Sequence, residues 1–184
     1  MPIETILPDA TTTPNPAWSG TVHTLLSDQG TNLTTCAGGN TGEKFIVSFG
    51  NLTSNVSAIN SITFSAQGGV GITRGVTAVC SFNFLNSSDS AYSYSETINF
   101  TDTTFSTLQA GTTRTTSDGS TAWTESDVNG LRMKIIATSN TNSAGNINLD
   151  FLKIDVDYNA PVTGAPIKLD SGLVKLTSGL IRIS

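Results

Sequence analysis

Histidine occurs once in this chain of 184 residues and cysteine twice, and charged side chains make up only 12% of it. Each scarcity excludes something. With His23 alone, an imidazole-based zinc site lacks ligands, and a nucleophile-plus-base pair has a single candidate base. That histidine falls in SGTVHTLLSD, which reads as a strand, and a lone imidazole in a strand is more often a satisfied or exposed side chain than a catalyst. Two cysteines do not make a disulfide framework. Cys80 alternates with Val76, Ala78, Phe82 and Phe84 and reads as a small core residue, while Cys36 lies in the loop-like TTCAGGN. Nine Lys and Arg against fourteen Asp and Glu leave a net charge of -5 with no basic cluster, which argues against nucleic acid as a partner. No apolar run approaches the roughly 18 residues of a membrane span. The opening MPIETILPDATTTPNPAW places acids and prolines where a secretory signal has a basic and then an apolar region. The expectation is a protein made in a cytoplasm, without a membrane partner.

What the chain has in abundance is Ser, Thr, Asn and Gly, and with low charge this composition favours strands and turns over helices. The apolar period is two. EKFIVSFG puts Phe45, Val47 and Phe49 on one face, and INSITFSAQ does the same for Ile62, Phe64 and Ala66. SYSETINF aligns Tyr94, Glu96, Ile98 and Phe100, and GLRMKIIATS aligns Leu131, Met133, Ile135 and Ala137. In LDFLKIDVDY, Leu152, Ile154, Val156 and Tyr158 oppose Lys153, Asp155 and Asp157. Strands with one apolar face are not stable singly, so many of them imply two sheets packed face to face. The predicted fold is all-β: a jelly-roll-like β-sandwich of about eight strands over residues 18–160. An extended arm precedes it over 1–17, where Pro2, Pro8, Pro14 and Pro16 forbid a helix or a central strand. A repetitive β tail follows over 161–184. The only helical candidate is a turn in STAWTESDVNGL, capped by Ser126 or Asp127.

Chemistry-bearing patterns are few. The glycines of GGVGITRG lack the Lys-Ser/Thr and the helix of a phosphate-binding loop. Asp150, Asp155 and Asp157 are close in sequence, but the last two read as the wet face of an edge or surface strand better than as a calcium or glycosidase pair. No catalytic residue, metal or cofactor is expected. Trp18 and Trp123 are the two candidates for stacking on a sugar ring, against the plainer reading that they cap the core.

The tail repeats at a step of seven: GAPIKLD, SGLVKLT, SGLIRIS. Each unit carries apolar-basic-apolar, as Ile167-Lys168-Leu169, Val174-Lys175-Leu176 and Ile181-Arg182-Ile183. Leu169, Leu173, Leu176, Leu180 and Ile183 have coiled-coil spacing, but a glycine in every heptad costs a helix about 1 kcal/mol each. As strands, units with an odd period face alternately, so the chain must turn near Gly172 and Gly179. Such small strands must pack on something, either the sandwich or the tails of sister chains around a threefold axis. The second option makes Ile167, Leu169, Leu173, Val174, Leu176, Leu180, Ile181 and Ile183 the expected oligomer contacts.

TAWTESDVNGLRMKIIATSN followed by INLDFLKIDVDY resembles a jelly-roll module of structural proteins of tailed bacteriophages. The matching positions are Trp123, Asp127, Val128, Asn129, the strand from Leu131 to Ala137 and the strand from Leu152 to Tyr158, and the stretch around Trp18 looks like the start of such a module. The resemblance implies a virion component such as a capsid decoration or cement protein, a head fibre or a tail-fibre module, commonly trimeric. A single sandwich with short arms narrows this to a non-enzymatic homotrimeric decoration protein contacting the major capsid protein or other virion subunits. The alternative is a carbohydrate-binding adhesion module of a tail or head fibre, with a host surface glycan as partner.

Overall fold

The computed structural model describes residues 1–29, 33–71, 78–101, 103, 105, 107–139 and 146–161, and the backbone of two short strands beyond them. Thirteen-residue strands β5 (Ala58–Val70) and β10 (Ile147–Asn159) form the spine of one sheet, antiparallel from Ile147 opposite Val70 to Asn159 opposite Ala58. Strands β1 (Ile3–Ile6) and β3 (Thr34–Cys36) share the other edge of β10, one at each end, and β8 (Leu108–Ala110) flanks β5. The second sheet has the order β2-β4-β9-β6-β7, from β2 (Pro8–Thr13), β4 (Lys44–Phe49), β9 (Arg132–Ser139), β6 (Ala78–Leu85) and β7 (Ala91–Phe100). All pairings are antiparallel. The described sandwich therefore has ten strands, two more than the sequence suggested, because three-residue pieces such as β3 and β8 are too short to display a period.

The core is where the alternation puts it. Phe45, Val47 and Phe49 of β4 and Phe82 and Phe84 of β6 face Ile62 and Phe64 of β5 across the gap, and Leu131, Met133, Ile135 and Ala137 close the middle between β4 and β6, all buried. The Phe64 ring lies 4.8 Å from that of Phe82 and 6.0 Å, edge-on, from that of Phe84, linking the two sheets. Each such ring withdrawn from water stabilises the fold by about 1.5–3 kcal/mol. Leu152, Ile154, Val156 and Tyr158 are buried on β10 as expected. A bulge between Leu149 and Phe151 breaks the strict alternation and leaves the Asp150 side chain inside. Opposite it, a Cβ on Gly68 would lie 2.6 Å from the carbonyl oxygen of Asn148, so the two strands approach where only glycine fits.

Several expectations are corrected. The first 13 residues are not a free arm: β1 borders one sheet, β2 borders the other, and the chain crosses between them at Leu7. The proline rule held for central strands, but Pro8 is the first residue of an edge strand and Pro2 precedes one, positions where a missing N–H costs no ladder bond. His23 lies in a helix, α1 (Val22–Ser27), whose Val22 and Leu26 are buried. Cys36 is a buried strand residue rather than a loop one. Of the edge or surface strand expected for Asp155 and Asp157 the structure shows the second: they lie on the outward face of β10, which is flanked on both sides. The helical turn exists as α2 (Glu125–Asn129), but its N-cap is Thr124: the Thr124 hydroxyl accepts from the Asp127 N–H at 3.1 Å, and the Asp127 carboxylate accepts from the Thr124 N–H at 2.9 Å.

Candidate interaction surfaces

Trp18 and Trp123 are both only 3% exposed, so neither presents a ring face on which a sugar could stack. Trp18 packs edge-on against Phe45 at 4.9 Å and turns its indole N–H to the carbonyl of Glu43 at 3.4 Å. Trp123 packs edge-on against Tyr92 at 5.3 Å and donates to the carbonyl of Arg114 at 3.1 Å. The plainer reading describes both: an indole closes the apolar interior while its one donor finds a backbone acceptor.

Trp123 belongs to a strap, residues 111–124, that bridges the two sheets along one side. The strap is bound to the first sheet by Arg114, whose N–H and carbonyl exchange hydrogen bonds with Ile62 at 2.8 and 2.9 Å. It is bound to the second by Glu96 and Tyr94 on the inner face of β7. The Arg114 guanidinium meets the Glu96 carboxylate at 2.7 Å and lies 4.5 Å from the centre of the Tyr94 ring. Glu96, which the alternation of β7 placed inward, thus has a structural cation. Tyr92 donates to Asp127 at 3.3 Å; burial, the Asp127 charge and this bond push its phenol up to about 12. In the turn beyond, Asp118 accepts from the N–H groups of Thr121 and Ser120 and from their hydroxyls, which hold its carboxyl down at about 2.

The N-terminal strands are pinned by side chains as well as ladders. Glu4 takes the N–H and hydroxyl of Thr53 at 2.7 and 2.8 Å and the N–H of Ser54 at 3.1 Å. Partial burial alone would raise its pKa, but these donors outweigh it and hold the carboxyl below the usual range. Thr11 bonds both the ring Nδ1 and the backbone N–H of His23 at 3.0 and 3.1 Å, tying β2 to α1. The carboxylates flagged in the sequence serve the same kind of end. Asp155 takes Thr5 and Lys153 at 2.6 Å each, Asp157 takes Asn60 at 3.3 Å, and buried Asp150 takes the Gln67 amide at 2.9 Å, while Gln29 donates to Gln67 at 2.7 Å. Among the described residues, no three His, Cys, Asp or Glu side chains gather as a metal site, and no helix is long and apolar enough to cross a membrane. Burial pushes the Cys80 thiol well up, with the nearby Cys36 adding to the shift.

In the tail, Val174–Leu176 and Gly179–Ile181 form strands β11 and β12, which pair antiparallel with each other and join neither sheet of the sandwich. The register sets Val174 opposite Ile181, Lys175 opposite Leu180 and Leu176 opposite Gly179. The chain therefore reverses between Leu176 and Gly179, and Gly179 is itself a paired strand residue. Ile167, Leu169, Gly172, Leu173 and Ile183 lie outside the described residues.

A shallow apolar groove of about 310 Å³ opens where the strap meets the start of β5. Val56, Ile59, Ala122 and Trp123 supply its apolar walls, and Ser57 and Glu125 its polar rim. Apart from Trp123 the sequence pattern singled out none of its lining, because the walls come from the loop before β5, the start of β5, the strap and the start of α2, which carry no shared period. No family model, curated protein or solved structure matches this chain.

Proposed function

We propose that this chain is a non-enzymatic structural subunit of a bacteriophage virion, a homotrimeric capsid decoration protein with jelly-roll connections that holds to the major capsid protein or its neighbours. The observation that carries the reading is the ribbon of β11 and β12, set apart from both sheets. A two-stranded ribbon of three residues a side is not stable alone in water and calls for a partner surface. Its register pairs Val174 with Ile181 and Lys175 with Leu180, so every chain carries the same short two-stranded element, which suits symmetric association. The sandwich agrees with a load-bearing role: its carboxylates are engaged in pinning strands and loops, and its indoles in closing the core.

Sedimentation tests the proposal. The full chain is expected to sediment as a trimer, and a chain ending at Pro161 as a monomer with an unchanged circular dichroism spectrum. Two monomers, or two trimers, remove the tail from assembly and the reading with it.

A further inference from the structure

Both sheets of the sandwich end in strands with a free edge, and most of these edges are blunted. Strands β1, β3 and β8 have only four, three and three residues. Strand β2 begins at Pro8, its ladder with β4 slips between Pro8 and Ala10 and again between Thr11 and Thr13, and α1 is tied to it where the Thr11 hydroxyl accepts the His23 N–H. Shortness, proline, irregular ladders and covering elements are the means by which an edge is kept from pairing with another chain. Residues 95–100 of β7 have none of them. The strand is ten residues long, and its ladder with β6 runs without a shift from Ser95 opposite Asn83 to Phe100 opposite Ala78. Among the described residues only β6 pairs with it. A groove of about 380 Å³ runs beside it, between Glu96, Thr97, Ile98 and Asn99 on one side and residues 109–112 on the other, so the described fold leaves this edge uncovered.

Charge indicates what covers it. The outward side chains of β7, Ser93, Ser95, Thr97 and Asn99, are exposed, small and uncharged. Those of its neighbour β6, Val79, Ser81 and Asn83, carry no charge either. The one charged residue of the strand, Glu96, turns inward to Arg114 at 2.7 Å. An edge that meets a partner of another kind is free to carry charge. An edge that meets its own copy is not, because each charge would then face its like within the same ladder. Copies with a net charge of -5 repel one another, and this margin is where two of them come together at least cost.

We infer that β7 is a docking edge for a second copy of this chain, its strand pairing antiparallel with the same strand of the partner about a two-fold axis at Thr97, an outward position near the middle of the regular ladder. The two second sheets then run on into one. In this register Thr97 stands opposite its own counterpart and Ser95 opposite Asn99, pairs of hydroxyl and amide groups that favour a ladder. Glu96, Ile98 and Phe100 stay engaged in their own sandwich, so recognition falls to the backbone and the outward residues. A ladder this short belongs among weak contacts, and it forms where copies are crowded. It is separate from the contact proposed for the tail and stands whether or not trimers form.

Two measurements on the full chain test it. Raising the concentration to about 1 mM is expected to at least double the sedimenting mass, whatever the unit at low concentration, and Thr97→Lys is expected to abolish the increase with an unchanged circular dichroism spectrum. No increase, or one that survives Thr97→Lys, overturns the inference. The second measurement places one new thiol on the strand, with Cys36 and Cys80 both buried. In Thr97→Cys, oxidised glutathione should join two chains through a disulfide, taking one thiol from each and releasing two equivalents of reduced glutathione. Ala91→Cys, at the far end of the same strand, should cross-link at least about ten-fold more slowly, because bridging needs Cα atoms within about 7 Å. Equal rates for the two variants overturn the two-fold ladder.

Discussion

Trp123→Ala separates an indole that closes the core from one that serves a ligand. The side chain is 3% exposed, so its removal takes a large apolar body from the sandwich end and leaves a cavity between the strap and β7. Truncations of this kind cost about 3–5 kcal/mol. The lost edge-on contact with Tyr92 adds about 0.5–1.5 kcal/mol. The lost indole hydrogen bond adds little, because the Arg114 carbonyl still accepts the Ile62 N–H at 2.9 Å. A total of about 5 kcal/mol, with a urea dependence of about 2 kcal/mol per molar, lowers the unfolding midpoint by about 2.5 M. Trp123→Phe keeps a ring against Tyr92 and should lower it by only about 0.5 M. Equilibrium urea unfolding followed by far-ultraviolet circular dichroism measures both. If the alanine variant falls no further than the phenylalanine variant, Trp123 does not hold the strap to the sandwich and the packing argument fails.

Two further predictions concern pH. Glu4 has a folded pKa below its ordinary 4.5, so its contribution to stability is present above that value and is lost as pH falls through the folded pKa. Glu4→Gln should therefore show a flatter acid limb in a series of thermal midpoints from neutral pH downward; parallel limbs would mean that the Thr53 and Ser54 donors do not anchor β1. Tyr92 behaves in the opposite sense: with its phenol raised from 10.0 to about 12, the unfolded chain ionises first and stability is lost as pH rises through that window. Tyr92→Phe should resist alkaline unfolding better than the parent between those values, and an equal loss in both would refute the assignment.

The sandwich was legible because its information is local and repeated. The runs in which apolar residues alternate, from Phe45 to Tyr158, reappear with those residues buried, save for half-buried Tyr94 and for Val76, which lies outside the described residues. The N-terminal segment was not legible for a reason that the same rule contains. Prolines exclude central strands, yet the two outer positions of two sheets are open to them, and β1 and β2 occupy one in each. Composition described the residues correctly and their tertiary use incorrectly. His23 was misread for a related cause: α1 is six residues long, less than two turns, and VHTLL alternates as plausibly as it winds.

The functional residues were less legible than the fold because their meaning depends on what lies across from them. Glu96 and Arg114 are eighteen positions apart and became a pair only when a strap laid one over the inner face of β7. Trp18 and Trp123 were flagged as the chain's only indoles, and rarity in a sequence says nothing about which side of a strand end faces water. The repeat in the tail was the one feature readable without any tertiary contact: its second and third copies each supply a strand, and the two pair with each other within one chain. A two-stranded ribbon pairs only its inner edges, so the outer N–H and C=O groups of β11 and β12 remain open to a ladder with a sister chain. Association of sister ribbons through such ladders and apolar burial is screened little by salt, so trimers should persist in sedimentation at about 1 M salt, and dissociation there would refute a ladder as the contact.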